Sequence, residues 1–144
     1  MLAQKNHNVI DLCQGIIHLF LIKCGDIIME SSMTLEKFQT EVLTLKQFFE
    51  TYCQGKNKEC SPHYIVVEYK NKRLRYDFML CDESFELITY AVERLLECPH
   101  ENKPKCRHCP NPCYEKARYK EVAKVMKYSG IKLGLSKIKQ FLIG

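Results

Sequence analysis

The chain has 144 residues, of which 46% are hydrophobic and 27% are charged, and these proportions are typical of a folded globular domain. They exclude a wholly disordered chain and a coiled coil. Eleven of the 22 Lys and Arg residues but only two of the 17 acidic residues lie within residues 103–144, so this part carries +9 while residues 1–102 carry −4.

Residues 1–33 are predicted to be an N-terminal extension whose status the sequence leaves open. Met29 and Met33 each precede a cleaner beginning, "MESSMTLEKF", so translation from Met1, Met29 or Met33 is compatible with the sequence, and an extra N-terminal helix is the alternative. The apolar run at residues 16–22 is shorter than the ~20 residues of a membrane-spanning helix, so we expect no membrane association.

Residues 34–144 are predicted to form a single cysteine-rich helical domain. Helical spacing of apolar residues indicates a helix over residues 34–53, in which Thr34 supplies half of a capping box. Two segments rich in β-branched and aromatic residues, Ile65–Tyr69 and Leu74–Leu80, flank the turn-like "KNK" and predict a β-hairpin. An acidic first turn and one apolar face predict a second helix over residues 82–97.

Prolines at four positions exclude a helix from residues 99–112, and a helical pattern resumes after them. Gly130 is expected to end this helix as a C-terminal cap, with "SKIKQFLIG" forming a last short amphipathic helix. The predicted fold is therefore mainly α, with three or four helices in a small bundle, one β-hairpin, and a cysteine-rich metal-binding loop between two helices.

The segment "CPHENKPKCRHCPNPC" is too polar to form core, and its cysteines are spaced as C-x7-C-x2-C-x3-C. A thiolate-bound metal supplies bonds where burial cannot, so the predicted ligands are Cys98, Cys106, Cys109 and Cys113. Spacing alone leaves zinc and an iron–sulfur cluster open, and small buried thiols without metal are the third alternative. His63 and His100 are expected to be solvated.

Cys53 and Cys81 are predicted to be either an additional ligand or a reactive thiol if folding brings them near the loop. Cys81 and Cys98 flank the helix of residues 82–97, so these two thiols should lie roughly 25 Å apart. With nine cysteines, an odd number, and no recognisable secretory signal, we expect a cytoplasmic protein that uses thiolate chemistry rather than disulfides.

A stripe of four lysines is predicted on the outer face of the last long helix: Lys116, Lys120, Lys124 and Lys127. This basic region suits nucleic acid or an acidic protein, although a solvated face is the commoner meaning of such a stripe. No phosphate-binding loop, catalytic triad order or isolated carboxylate pair is present, so we expect no enzyme and assign neither catalytic residues nor a small-molecule substrate.

Several spaced motifs resemble the bacterial nitrous oxide-stimulated promoter family: "YC" at 52–53, "LC" at 80–81, "YAVERLLECP" at 90–99, "KPKCRHCPNPCY" at 103–114 and "VMKYSG" at 125–130. The resemblance implies a small cytoplasmic protein associated with the response to nitrogen oxides. It places the family's motif cysteines at Cys53, Cys81, Cys98, Cys106, Cys109 and Cys113. The chain departs from the family at Ser84, where a cysteine is frequent, at Gln54 and Gly55, where histidines are frequent, and at Pro112, within a frequent "HCY".

Two hypotheses follow. The first is a cysteine-ligated metalloprotein acting in the response to nitric oxide as a sensor or regulator, with iron–sulfur favoured over zinc because nitric oxide attacks such clusters readily. The second is a zinc-stabilised binding module that contacts nucleic acid or an acidic protein through its basic C-terminal helices.

Overall fold

A computed structural model of the protein describes residues 32–143, without the side chains of residues 136, 138, 139 and 141–143. Helix α1 spans Leu35–Gly55, strand β1 Ser61–Tyr69, strand β2 Lys72–Leu80, helix α2 Asp82–Leu96 and helix α3 Lys116–Ile143, with a short 3₁₀ turn at Cys106–His108. The part described is thus mainly helical with one hairpin, as the sequence predicts. The expectations for residues 1–31 lie outside it.

Helix α1 begins as its sequence predicts. The Thr34 side chain accepts a 3.2 Å hydrogen bond from the backbone N–H of Lys37, which satisfies one of the donors left open at a helix start. Phe38, Val42 and Phe49 follow at helical spacing and are all fully buried. Their common face holds α1 against the hairpin and the other helices.

The two strands pair antiparallel, with Tyr69 opposite Lys72 and Ser61 opposite Leu80. Lys70 and Asn71 make the two-residue turn, and both adopt positive φ angles (47° and 61°), as the tight turns that suit twisted strands require. Side chains alternate along each strand, so one face of the hairpin enters the core.

Stacking between a helix and the hairpin organises the centre of this core. The rings of Phe38 and Tyr69 are 9° from parallel with centroids 4.1 Å apart, and the Tyr69 hydroxyl donates a 2.6 Å hydrogen bond to the carbonyl of Met33. The inward strand residues are Ile65, Val67, Tyr69, Tyr76, Phe78 and Leu80. Because a hairpin alone is marginal in water, α1 and α2 supply the apolar surface that stabilises it.

Helix α3 corrects the prediction of a break at Gly130, since it runs without interruption through that residue to Ile143. A Cβ atom on Gly130 would lie 3.6 Å from the Phe48 ring, and the neighbouring Ser129 is fully buried against α1. The small residues "SG" therefore mark a close crossing of two helices rather than a helix end, and packing overrides the local tendency of glycine.

None of the three helices between Leu35 and Ile143 combines the length and the apolar composition that crossing a membrane requires.

Candidate functional site

The cysteine-rich loop connects the end of α2 to the start of α3, and its only regular feature is the 3₁₀ turn. Cys98 lies just after α2 and is 8% exposed. Cys106 and Cys113 are exposed, while Cys109 is partly buried. The predicted ligands thus range from the edge of the core to the surface.

Both ends of the loop are attached to the helices. The Tyr90 hydroxyl on α2 accepts a 2.9 Å hydrogen bond from the backbone N–H of Glu115, and its ring meets that of Tyr114 edge-on at 5.6 Å. In the middle of the loop, Lys103 forms a 3.3 Å ion pair with Glu41 of α1. These contacts hold the backbone of a segment that has little core of its own.

Charge interactions show that several loop thiols lie near one another. Surrounding protein atoms raise the pKa of Cys113 by removing water, and the charges of Cys106 and Cys98 raise it further, against the lowering effect of Arg94. Burial raises the pKa of Tyr114 strongly, and Cys106 and Cys113 add to this shift. Cys113 is therefore close enough to Cys106 and to Cys98 for their charges to affect its pKa.

Cys109, the fourth predicted ligand, makes contacts of its own. Its sulfur lies 3.4 Å from Nε2 of His100, and the thiol donates a 3.3 Å hydrogen bond to the carbonyl of Asn111. His100 was expected to be solvated, so this approach is a feature that sequence analysis missed. The only signal for it was the position of His100 two residues after Cys98.

Within residues 32–143, no three His, Cys, Asp or Glu side chains are arranged so that they hold a metal ion. Four thiols in a short polar segment nevertheless fit the chemistry of zinc and of iron–sulfur clusters, both of which prefer thiolate sulfur. The ligand set at Cys98, Cys106, Cys109 and Cys113 therefore stays a prediction, and ligation requires the Cys109 thiol to leave its present partners.

A second thiol cluster lies at the opposite end of α2. The sulfurs of Cys53, in the last turns of α1, and Cys81, the residue that caps α2, are 3.7 Å apart. Ser84 Oγ lies 3.1 Å from the Cys53 sulfur and 3.2 Å from the Cys81 sulfur. Folding thus brings together two thiols and a hydroxyl.

The two thiols of this cluster differ in their proton affinity. Burial raises the pKa of Cys53, which is fully buried. Burial also tends to raise the pKa of Cys81, but hydrogen bonding from the side chain and backbone of Ser84, the contact with Cys53 and the positive charge of Lys58 together lower it below its ordinary value. Cys81 is therefore the thiol that ionises first.

Cys81 faces an open depression of ≈ 870 Å³ on the surface. Its other lining residues are Lys58, Glu59, Cys60, Ser61, Asp82 and Glu83. The ammonium group of Lys58 is 3.0 Å from a carboxylate oxygen of Glu83, and the Cys60 thiol donates to the carbonyl of Lys58 at 3.3 Å. A small molecule can therefore reach Cys81 but not Cys53.

The 15 residues of α2 separate the pair Cys53–Cys81 from the loop by about 22 Å along the helix axis. A ligand bond is about one-tenth of that length. Of the two predicted roles for these residues, the geometry therefore favours a reactive thiol over an additional ligand for a metal in the loop.

The four lysines of the predicted stripe are all exposed on α3: Lys116, Lys120, Lys124 and Lys127. They project within one sector of the helix, since their spacing is four, four and three residues. Among the residues that the structure describes, none of the four forms an ion pair, whereas Arg118 on the same helix pairs with Glu121 at 3.3 Å.

The sequence profile of the family described as "Nitrous oxide-stimulated promoter" matches residues 36–138. The chain belongs to this family. The match confirms the resemblance, and it extends from α1 into the second half of α3, including all six motif cysteines and the four lysines of the stripe.

The chain is also similar in sequence to the uncharacterized protein YgbA of Escherichia coli (strain K12). The two chains are 29% identical over 100 residues, which is 68% of the present chain and 69% of YgbA. No solved structure matches the chain. The link to nitrous oxide therefore comes from the description of the family to which the chain belongs.

Proposed function

We propose that the chain is a cysteine-ligated metalloprotein acting in the response to nitric oxide as a sensor or regulator, with an iron–sulfur cluster favoured over zinc. The family description supports the association with nitrogen oxides. The proposed ligands are Cys98, Cys106, Cys109 and Cys113.

The observation that carries this proposal is the attachment of a four-cysteine loop to the core at both ends. Cys98 lies two residues after the end of α2, and Cys113 lies three residues before α3, so both ends of the loop place a thiol close to a helix. Tyr90 on α2 holds the second of these ends through its hydrogen bond from Glu115. An anchored backbone lowers the entropy lost when thiols gather around a metal.

An iron–sulfur cluster in this loop would supply a centre that reacts with nitric oxide. The chain's own residues would convert loss of a cysteine ligand into a structural change, because the loop leads directly into α3. Release of Cys113 would loosen the contact between Tyr114 and Tyr90 and so alter how the start of α3 is held.

The test is metal and sulfide analysis with an absorption spectrum on protein purified without oxygen. We expect iron and acid-labile sulfide in similar amounts and a coloured protein with a visible absorption band from the cluster. Cys109→Ser should bleach this band. Cys60→Ser is the matched control, since Cys60 is also a free, partly buried cysteine but lies outside the loop.

Stoichiometric zinc without iron or sulfide would replace the cluster with a structural zinc site. Loss of the absorption band in both serine variants would show a general effect on folding and not ligation by Cys109. Protein without any bound metal after anaerobic purification would overturn the proposal.

A binding module is the second candidate function, and the exposed lysine stripe on α3 favours it. Phosphate contacts through these lysines would make the affinity for nucleic acid fall steeply with salt. We would measure binding of duplex DNA and of single-stranded RNA at several salt concentrations, with the Lys120→Gln/Lys124→Gln double variant. Lys70→Gln in the hairpin turn is the control. No binding at low salt would exclude nucleic acid and leave an acidic protein as the partner.

A further inference from the structure

We propose that Cys53 and Cys81 form a redox pair that exchanges with small organic disulfides, with Cys81 as the attacking thiol and Cys53 as the resolving thiol. This site is separate from the loop and goes beyond the proposed metal function. It rests on the 3.7 Å separation of the two sulfurs, the bridging hydroxyl of Ser84 and the depression beside Cys81.

The division of roles follows from access. Cys81 lies on the wall of the open depression, so a disulfide bond of a small molecule can approach its sulfur. Cys53 is fully buried directly behind it and meets no reagent of that size. The short distance between the sulfurs means that small side-chain rotations suffice to form a bond of about 2 Å between them.

Ser84 provides a path for the proton that must leave Cys53. The Cys53 thiol donates a hydrogen bond to Ser84 Oγ, and the serine hydroxyl is free to turn and donate to the Cys81 sulfur when that sulfur is a thiolate. The position of Cys81 at the N-terminus of α2 and the nearby ammonium group of Lys58 also favour the thiolate.

The reaction has two steps. The Cys81 thiolate attacks a disulfide R–S–S–R, forming the mixed disulfide Cys81–S–S–R and releasing R–S⁻. Cys53 then transfers its proton, by way of the Ser84 hydroxyl, to the R–S⁻ released in the first step and attacks the Cys81 sulfur. This forms the Cys53–Cys81 disulfide and releases a second R–S⁻, which takes up from solvent the equivalent of the proton that Cys81 lost on ionising. The protein loses two electrons and two protons, and R–S–S–R is reduced to two thiols.

The charges around the depression favour a cationic disulfide over an anionic one. Three carboxylates line it, at Glu59, Asp82 and Glu83, against one ammonium group at Lys58 that is already paired with Glu83. Cystamine carries an ammonium group at each end, whereas glutathione disulfide carries net negative charge. We expect cystamine to react about tenfold faster at low ionic strength, with the preference shrinking as salt is added.

The primary experiment uses the full chain as purified, with its metal content measured in the same sample. Protein is treated with cystamine, free thiols are then blocked, and disulfide-linked peptides are identified by mass spectrometry. A Cys53–Cys81 link that small thiols reverse is the expected result. A stable mixed disulfide at Cys81 without resolution, or a link from Cys81 to Cys60, would overturn the pairing.

Variants separate the roles of the residues. Cys53→Ala should halt the reaction at the mixed disulfide, and Cys81→Ser should abolish it. Ser84→Ala should slow the first step about tenfold, as expected for loss of a hydrogen bond to a charged sulfur. The rates at which glutathione disulfide and cystamine react with the protein are each divided by their rates with a free small thiol. Equal ratios for the two compounds would contradict the charge preference.

The proposed metal function and the proposed redox pair can be disproved independently of each other. A chain without metal in which Cys53 and Cys81 still link would overturn the proposed function and leave the redox pair intact. A chain with a loop cluster in which the two thiols never link would do the reverse.

Discussion

Ser129 Oγ donates a 2.5 Å hydrogen bond to the backbone carbonyl of Phe48, and it joins α3 to α1 across 81 residues of chain. Ser129 is fully buried, and the Phe48 ring packs beside the neighbouring Gly130. This crossing holds the helix that follows the cysteine loop against the core.

Ser129→Leu should destabilise the protein by about 1–3 kcal/mol, because a larger side chain at this crossing must push α1 and α3 apart. Leucine forms helices better than serine, so intrinsic helix propensity cannot cause such a loss. The free energy of unfolding from urea titration measures the effect. Lys127→Leu, at an exposed position of the same helix, should change it little, and equal effects of both substitutions would contradict the packing explanation.

The three described glycines should respond to alanine in opposite directions. Gly134 has open space around it, and a Cβ on Gly130 would make an ordinary contact, so each change should stabilise α3 by about 0.5–1 kcal/mol. Gly55→Ala should destabilise, because its Cβ would come within 2.8 Å of Cε1 of the Tyr128 ring. Thermal unfolding midpoints test the signs, and a lower midpoint for Gly134→Ala would contradict the continuous α3.

Cys81 should react with iodoacetamide at a lower pH than an ordinary cysteine does. Burial alone would raise the pKa of Cys81, but Ser84, Cys53 and Lys58 lower it, and the thiolate is the reactive form. The rate should therefore rise with pH and reach half of its plateau at a lower pH than the rate of an ordinary cysteine thiol does. Mass spectrometry of the Cys81 peptide gives the rate at each pH.

Lys58→Met should move the midpoint for Cys81 to higher pH, because it removes a positive charge and leaves Glu83 unpaired beside the thiol. Lys56→Met is the control, since Lys56 lies over the Tyr128 ring rather than in the depression beside Cys81. The ionisable groups around Cys81 are Cys53 on α1, Lys58, Glu59 and Cys60 in the connection that follows, and Asp82 and Glu83 on α2. A shift of the same size in both variants would contradict a specific role for Lys58.

Metal removal should open the loop to protease while leaving the hairpin unaffected. If the loop cysteines hold a metal, chelation under anaerobic conditions releases their constraint, and trypsin should cut faster after Lys105 and Arg107, both of which are exposed. Cleavage after the exposed turn residue Lys70 supplies the internal reference. An unchanged ratio of loop to turn cleavage would count against ligation in the loop.

Local patterns sufficed to predict the elements that depend on neighbouring residues. The cap at Thr34 and the turn at Lys70 and Asn71 were legible because each uses side chains or backbone angles within a few residues. The continuity of α3 could not be predicted in this way, because glycine often follows the end of a helix. Here the helix continues through Gly130, which packs against Phe48, a residue far away in sequence.

The approach of the two thiols Cys53 and Cys81 could not be predicted from the sequence either. The sequence singled out Cys53 and Cys81, but 28 residues separate them, and their approach depends on how the hairpin returns the chain. Ser84 stood out only as a position where the family frequently has a cysteine, and Lys58 carried no signal of its own before the fold was known. In the loop, by contrast, the spacing of cysteines indicated the chemistry, while the contact between His100 and Cys109 depended on backbone bends that prolines make hard to predict.

The pairing of Ser61 with Leu80 means that the hairpin brings the chain back to the place where it departed. The end of α1 and the start of α2 therefore meet whatever the length of the excursion between them. Residues added at the turn of Lys70 and Asn71 would therefore lengthen the tip of the hairpin without moving either thiol. An engineer can use this tip to insert a label.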